Sequence, residues 1–74
     1  MIKQQFGIKL RKLRKQYTKL SQEEFAYSIG MDRTYYSSIE NGNRNVSLVN
    51  IKKIADGLGI TICELFRDIE LEEV

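Results

Sequence analysis

Apolar residues recur along this chain at helical spacing. Phe6, Leu10, Leu13 and Tyr17 fall at steps of three and four, with Ile2 one turn earlier, and basic residues fill the other faces. That spacing predicts an amphipathic first helix ending near Tyr17-Thr18-Lys19. Ser21 followed by Gln22, Glu23 and Glu24 reads as the start of a second helix, with Glu24 at the capping-box position. Phe25, Ala26 and Ile29 form its buried face, and Gly30 ends it by accepting the left-handed conformation. Met31 packs inward and Asp32 caps a third helix whose inward residues are Tyr36 and Ile39; Asn41-Gly42 stops it. After a loop at Asn43-Arg44-Asn45, Ser47 caps a fourth helix with a buried stripe of Leu48, Ile51, Ile54, Ala55 and Leu58. Gly57 and Gly59 flank its end. Thr61 caps a fifth helix carrying Ile62, Leu65, Phe66 and Ile69, and the closing LEEV reads as a frayed end. No stretch alternates long enough for a convincing strand, and the chain has no proline. The expectation is an all-α fold of five helices in one domain, residues 1–74.

Size sharpens this picture. A chain of 74 residues buries little apolar surface and leans on a disulfide, a metal or a second chain. Cys63 is the only cysteine and there is no histidine, so neither an internal disulfide nor a zinc site is expected. Helix packing helped by a partner copy remains. The fifth helix, with Ile62, Leu65, Phe66 and Ile69, has more apolar surface than one small core needs. The dimer contact is therefore expected within about 48–70. Cys63 fits a small core or interface residue. No apolar run approaches a membrane span, and the basic opening MIKQQFGIKLRKLRKQ lacks the apolar centre of a secretory signal. Together with a free thiol this points to the cytoplasm.

Charge adds direction. Net charge is only +2, but Lys3, Lys9, Arg11, Lys12, Arg14, Lys15 and Lys19 stand in the first twenty residues without one acid. The end of the chain is acidic, with Glu64, Asp68, Glu70, Glu72 and Glu73 against Arg67. One end of the molecule thus favours a polyanion. Individually Lys9, Arg11, Lys12 and Lys15 read as solvated, but together they raise the local potential.

The second and third helices, about 22–41, are short and joined by a tight glycine turn, which is a helix-turn-helix. Ala26 is small enough to let the third helix cross close by. With Met31, Tyr36 and Ile39 turned inward, the third helix is left with Arg33, Thr34, Ser37, Ser38 and Asn41 outside. Such a face suits the major groove of DNA. Arginine bridges two acceptors on guanine, Thr and Ser bond base edges or phosphates, and Thr offers a methyl to thymine. Arg33 is the first candidate for base readout, against a phosphate contact or a solvated arginine. Thr34 and Ser37 follow, then Ser38 and Asn41, the last as a backbone contact. Tyr35 offers a hydroxyl and a ring, or simply packs. Gln22 opens a helix whose N–H groups can hold a phosphate.

The stretch SQEEFAYSIGMDRTYYSSIENGNRN resembles the helix-turn-helix of the Cro and phage-repressor family, and the later LVNIKKIADGLGITICELF extends the resemblance over roughly residues 6–66. Within that family, Arg33, Thr34, Tyr35, Ser37, Arg44 and Asn45 are most similar to the controller proteins of restriction–modification systems. The resemblance implies a five-helix lambda-repressor-like DNA-binding domain, a homodimer, and a roughly palindromic double-stranded DNA operator upstream of the protein's own gene. It also implies that Arg44 and Asn45, with Asn50 on the fourth helix, contact the DNA backbone, and that Arg14 and Glu40 form a buried ion pair. Two departures stand out: the linker QYTKLSQ is one residue longer than the usual turn, and Tyr36 is bulkier than the usual aliphatic residue.

No nucleophile is paired with an evident base, so no enzyme, cofactor or small-molecule ligand is expected. The competing readings are a phage-like repressor or an antitoxin that represses its own operon, and a protein–protein adaptor that binds no DNA. If the protein activates its promoter, Glu23 and Glu24 at the start of the second helix are candidates for touching RNA polymerase; otherwise they only favour the helix dipole.

Overall fold

The computed structural model describes residues 1–69, and the expected frayed end LEEV lies outside them. Five helices follow in order: α1 (Ile2–Tyr17), α2 (Gln22–Ser28), α3 (Arg33–Glu40), α4 (Leu48–Leu58) and α5 (Ile62–Leu65). No strand occurs among the described residues.

Four of the helices begin with a side-chain cap. Ser21 Oγ accepts from the Glu24 N–H at 3.1 Å while Glu24 Oε1 accepts from the Ser21 N–H at 2.9 Å, a complete capping box. Asp32, Ser47 and Thr61 accept likewise from the N–H groups of Tyr35, Asn50 and Glu64. Three helices end by a common device. Gly30, Gly42 and Gly59 take positive φ, and the N–H of the next residue reaches back to the carbonyls of Ala26, Ser38 and Ala55. This paired closure satisfies carbonyls that a helix end leaves orphaned.

The core gathers one face from every helix: Phe6, Leu10 and Leu13; Phe25 and Ala26; Tyr36 and Ile39; Ile54, Ala55 and Leu58; Leu65, with Ile69 just beyond α5. Phe6 stacks on Phe66 at 5.1 Å and Phe25 meets Tyr36 at 5.4 Å. Gly7 lets α1 touch α3 directly: a β-carbon there would stand 2.7 Å from the Ile39 carbonyl and closer still to that of Glu40.

The stripes are trimmed at the helix ends. Leu48 is 82 % exposed, because it opens α4 one turn before Ile51, where the stripe first meets the core. Tyr17 and Ile2 also lie at the ends of their helix, and both are exposed. Ile29, Met31 and Ile51 are only partly buried, packed against the core from its margin. The fifth helix is shorter than its apolar pattern, with Phe66 already its C-cap. The expected dimer contact changes accordingly. Leu65 is fully buried and Ile69 nearly so within this protomer's own core, so neither side chain is available to a partner. Phe66 is partly covered by its stack on Phe6, leaving Ile62 as the exposed member of that set. Cys63 is exposed rather than in the core.

Candidate nucleic-acid interface

The third helix lies along one wall of a shallow groove. Arg33, Thr34, Ser37, Ser38 and Asn41 line it from α3, joined by Asn43 just beyond. Arg11 and Arg14 of α1, with Ser21, Gln22 and Glu23 at the start of α2, form the rest. The expected reading face is therefore assembled, and its long side chains reach solvent. Arg33 is exposed but not idle, since its Nη1 sits 3.3 Å from Glu23 Oε1.

Under this groove lies a polar knot centred on Glu40. Arg14 donates from Nε to Glu40 Oε2 at 2.8 Å and from Nη2 to Oε1 at 3.2 Å. The Tyr36 hydroxyl donates to Oε2 at 2.6 Å, and the Gln22 amide donates to Oε1 at 2.7 Å. Four donors thus meet a carboxylate with about four acceptor positions. The knot ties α1, α2 and α3 together by side chains from each. Burial alone would push the Glu40 carboxyl up, but the hydrogen bonds from Arg14, Tyr36 and Gln22 outweigh it and hold it below its ordinary range. The same bond to Glu40 raises Arg14 against the opposing effect of burial. Burial, followed by the Glu40 hydrogen bond and charge, pushes the Tyr36 phenol far up.

The knot accounts for both departures in the sequence. The hydroxyl that sets Tyr36 apart from an aliphatic side chain is the group that reaches Glu40. The longer linker is stitched down: Arg14 Nη1 donates to the Leu20 carbonyl at 2.9 Å, and Thr18 Oγ1 donates to the Arg14 carbonyl at 2.8 Å.

Tyr35, Arg44 and Asn50 cluster beside the groove and join it through Ser38. The Arg44 guanidinium lies over the Tyr35 ring at 5.3 Å and donates from Nε to Ser38 Oγ at 2.9 Å. Ser38 in turn donates its proton to the Tyr35 carbonyl at 2.6 Å. The Asn50 amide donates to the Tyr35 hydroxyl at 3.2 Å. Ser38 and Asn50 thus brace Tyr35 and Arg44, and in this geometry their polar groups are turned to protein rather than to a ligand. Asn45 stands next to Arg44 on the edge of another depression, near Ile2 and Phe6 of α1.

A helix-turn-helix family model matches residues 10–65. The chain belongs to that family. It is 70 % identical over 71 residues to control protein C.MunI from a Mycoplasma species, covering 96 % of each chain. It is 49 % identical over 55 residues to control protein C.BamHI of Bacillus amyloliquefaciens, covering 74 % of this chain and 68 % of that one. Among solved structures, the restriction–modification controller protein C.AhdI of Aeromonas hydrophila superposes with a TM-score of 0.80 at 51 % identity, covering 85 % of this chain and 94 % of the other. A regulator from C. glutamicum, ClgR, matches at a TM-score of 0.86 but 19 % identity, which speaks for the fold alone.

Seen as a helix-turn-helix protein, the chain holds groove residues that sequence spacing did not single out. Arg11 and Asn43 line the groove, and Glu23 pairs across it with Arg33. Arg11 and Arg14 are three apart on α1, but only the docking of α1 on α3 brings both into the groove that α3 lines.

Proposed function

We propose that this protein is a sequence-specific DNA-binding transcriptional regulator, a restriction–modification controller that acts as a homodimer on its own promoter in the cytoplasm and carries out no catalysis. The observation that carries the reading is the groove itself. Arg33, Thr34 and Ser37 open outward on a helix fixed from below by a buried knot, in a chain 70 % identical to a control protein. In this reading α3 enters the major groove, with Arg33, Thr34 and Ser37 reading base edges and Tyr35 alongside them. Arg44, Asn45, Asn41 and the start of α2 at Gln22 hold the backbone. Apolar side chains that α4 and α5 leave in solvent, Leu48, Val49 and Ile62, supply the contact between copies. The described residues include no helix long and apolar enough to cross a membrane.

The test is a gel shift on the DNA upstream of the protein's own gene, repeated over a range of salt. Binding should be tighter there than on scrambled DNA, and log K should fall with log salt by about 0.9 per phosphate neutralised. Equal binding to both, or none to either, would end the reading.

Promoter activation also needs a contact with RNA polymerase, for which the acids opening α2 are the proposed site. Glu23 is tied to Arg33, so Glu24 gives the cleaner probe. Glu24→Gln keeps an acceptor for the Ser21 N–H while removing the charge. Lost activation in a reporter assay with unchanged operator binding is expected; full activation by the variant would assign the contact elsewhere.

A further inference from the structure

The arginines of the groove are unequally committed. Arg14 is buried and spends its charge on Glu40. Arg33 is paired with Glu23. Arg11 is the third, and its side chain is 59 % exposed. Its nearest acid is again Glu40, with Nε 4.0 Å from Oε1. That is too long for a hydrogen bond. A shorter approach has nothing to gain, because both Glu40 oxygens already hold two donors each. The charge of Glu40 is moreover balanced by Arg14. Among the described residues Arg11 is therefore held only by this one long ion pair, in the groove and on the helix across from α3.

We propose that Arg11 is a phosphate-binding residue, gripping a phosphodiester of the DNA strand that borders the major groove entered by α3. Its chemistry fits: a guanidinium offers a planar fork that matches two phosphate oxygens. So does its place, since it sits on α1, away from the helix that faces the base edges. The buried knot has a second consequence. By saturating Glu40 it keeps a neighbouring carboxylate from binding Arg11 closely, so Arg11 has only a loose 4.0 Å ion pair to leave. Arg33, by contrast, must leave Glu23 to reach a base. Phosphate contacts of this kind position a protein without reading sequence.

This inference rests on the DNA-binding reading, and one set of measurements separates the two. Fluorescence anisotropy with the wild-type protein, on its promoter DNA and on a scrambled duplex, gives the reference salt dependence. Arg11→Gln should lower the slope of log K against log salt by about 0.9 per protomer, so by about twice that for a bound dimer, and weaken both DNAs by a similar factor. Arg11→Lys should retain most of the slope, which shows that the loss is one of charge rather than of folding. Lys12→Gln is the control of equal charge change: Lys12 borders a different depression, with Lys9 and Arg67. It should alter the slope clearly less. An unchanged slope in Arg11→Gln, an equal loss in Lys12→Gln, or a selective loss on the promoter would overturn the assignment. Failure of the wild-type protein to bind either duplex would instead remove the DNA-binding reading beneath it.

Discussion

Arg33 and Glu40 lie seven positions apart on α3 yet do opposite work. Arg33 is exposed and its ion pair with Glu23 is held in solvent, where such pairs contribute about 0–1 kcal/mol, so a guanine can displace it cheaply. Arg33→Ala is expected to cost roughly 1–3 kcal/mol of operator binding and to relax preference at one base pair per half-site, read by competition among operator variants. A uniform loss on all variants would make Arg33 a phosphate contact. Glu40 is buried among its four donors. Glu40→Gln leaves Arg14 without its counter-charge, at up to roughly 3–5 kcal/mol. That is a large share of what a domain of this size has, at about 0.05–0.15 kcal/mol per residue, so the urea midpoint should fall steeply. The pH dependence has a definite sign. The folded carboxyl titrates below its ordinary value of 4.5, so the unfolded chain takes up the proton first as pH falls. The contribution is complete above that value and is lost as pH falls through the depressed one. Wild-type stability should therefore drop on acidification, and Glu40→Gln should lack this part of the drop.

Between elements, the closest approach is that of α1 on α3 at Gly7. A methyl group there meets two carbonyls of α3, which are backbone and cannot rotate aside. Gly7→Ala should cost about 1–3 kcal/mol of stability by overpacking, despite alanine's better helix propensity. At roughly 4–8 °C per kcal/mol for a small domain, the thermal midpoint should fall by many degrees. Ile8→Ala, on the exposed side of the same turn, should leave it nearly unchanged. Should Gly7→Ala melt like wild type, the crossing is looser than these contacts imply. The helix ends behave differently. Their caps and glycine closures are satisfied within a few residues, so Ser21, Asp32, Ser47 and Thr61 could all be recognised from order alone.

The assembly expected of the whole molecule turns on which apolar side chains the protomer keeps for itself. Leu65 is 0 % exposed while Ile62 is 42 % exposed, three residues away on the same short helix. Leu65→Asp should therefore unfold the chain rather than merely split a dimer. Leu48→Asp and Ile62→Asp should keep native circular dichroism and sediment as monomers, with operator binding much weakened, because a dimer sets two recognition helices about 34 Å apart. Folded, dimeric variants would place the interface on other residues. A regulator that works as a dimer also responds steeply to its own concentration, so these variants should blunt any switch at the promoter.

Helix existence, caps, stops and the helix-turn-helix were legible because each depends on neighbours within about one turn. The polar face of α3 followed, since removing Tyr36 and Ile39 to the core leaves Arg33, Thr34 and Ser37 outside. The Arg14–Glu40 pair came from family resemblance, and the structure bears it out at 2.8 Å. Its extension to Gln22 did not, because α2 meets Glu40 only after packing; Tyr36 stands four residues before Glu40 on the same helix, but its spacing marked it only as a core residue. Leu48 and Leu65 show the same limit for apolar residues. Periodicity says which face of a helix is greasy, not how far the neighbouring helices reach along it. Burial at helix ends, the pairing of Glu23 on α2 with Arg33 on α3, and the placing of Arg11 on α1 beside that groove all depend on how the helices pack across one another, and that is a property of the folded chain.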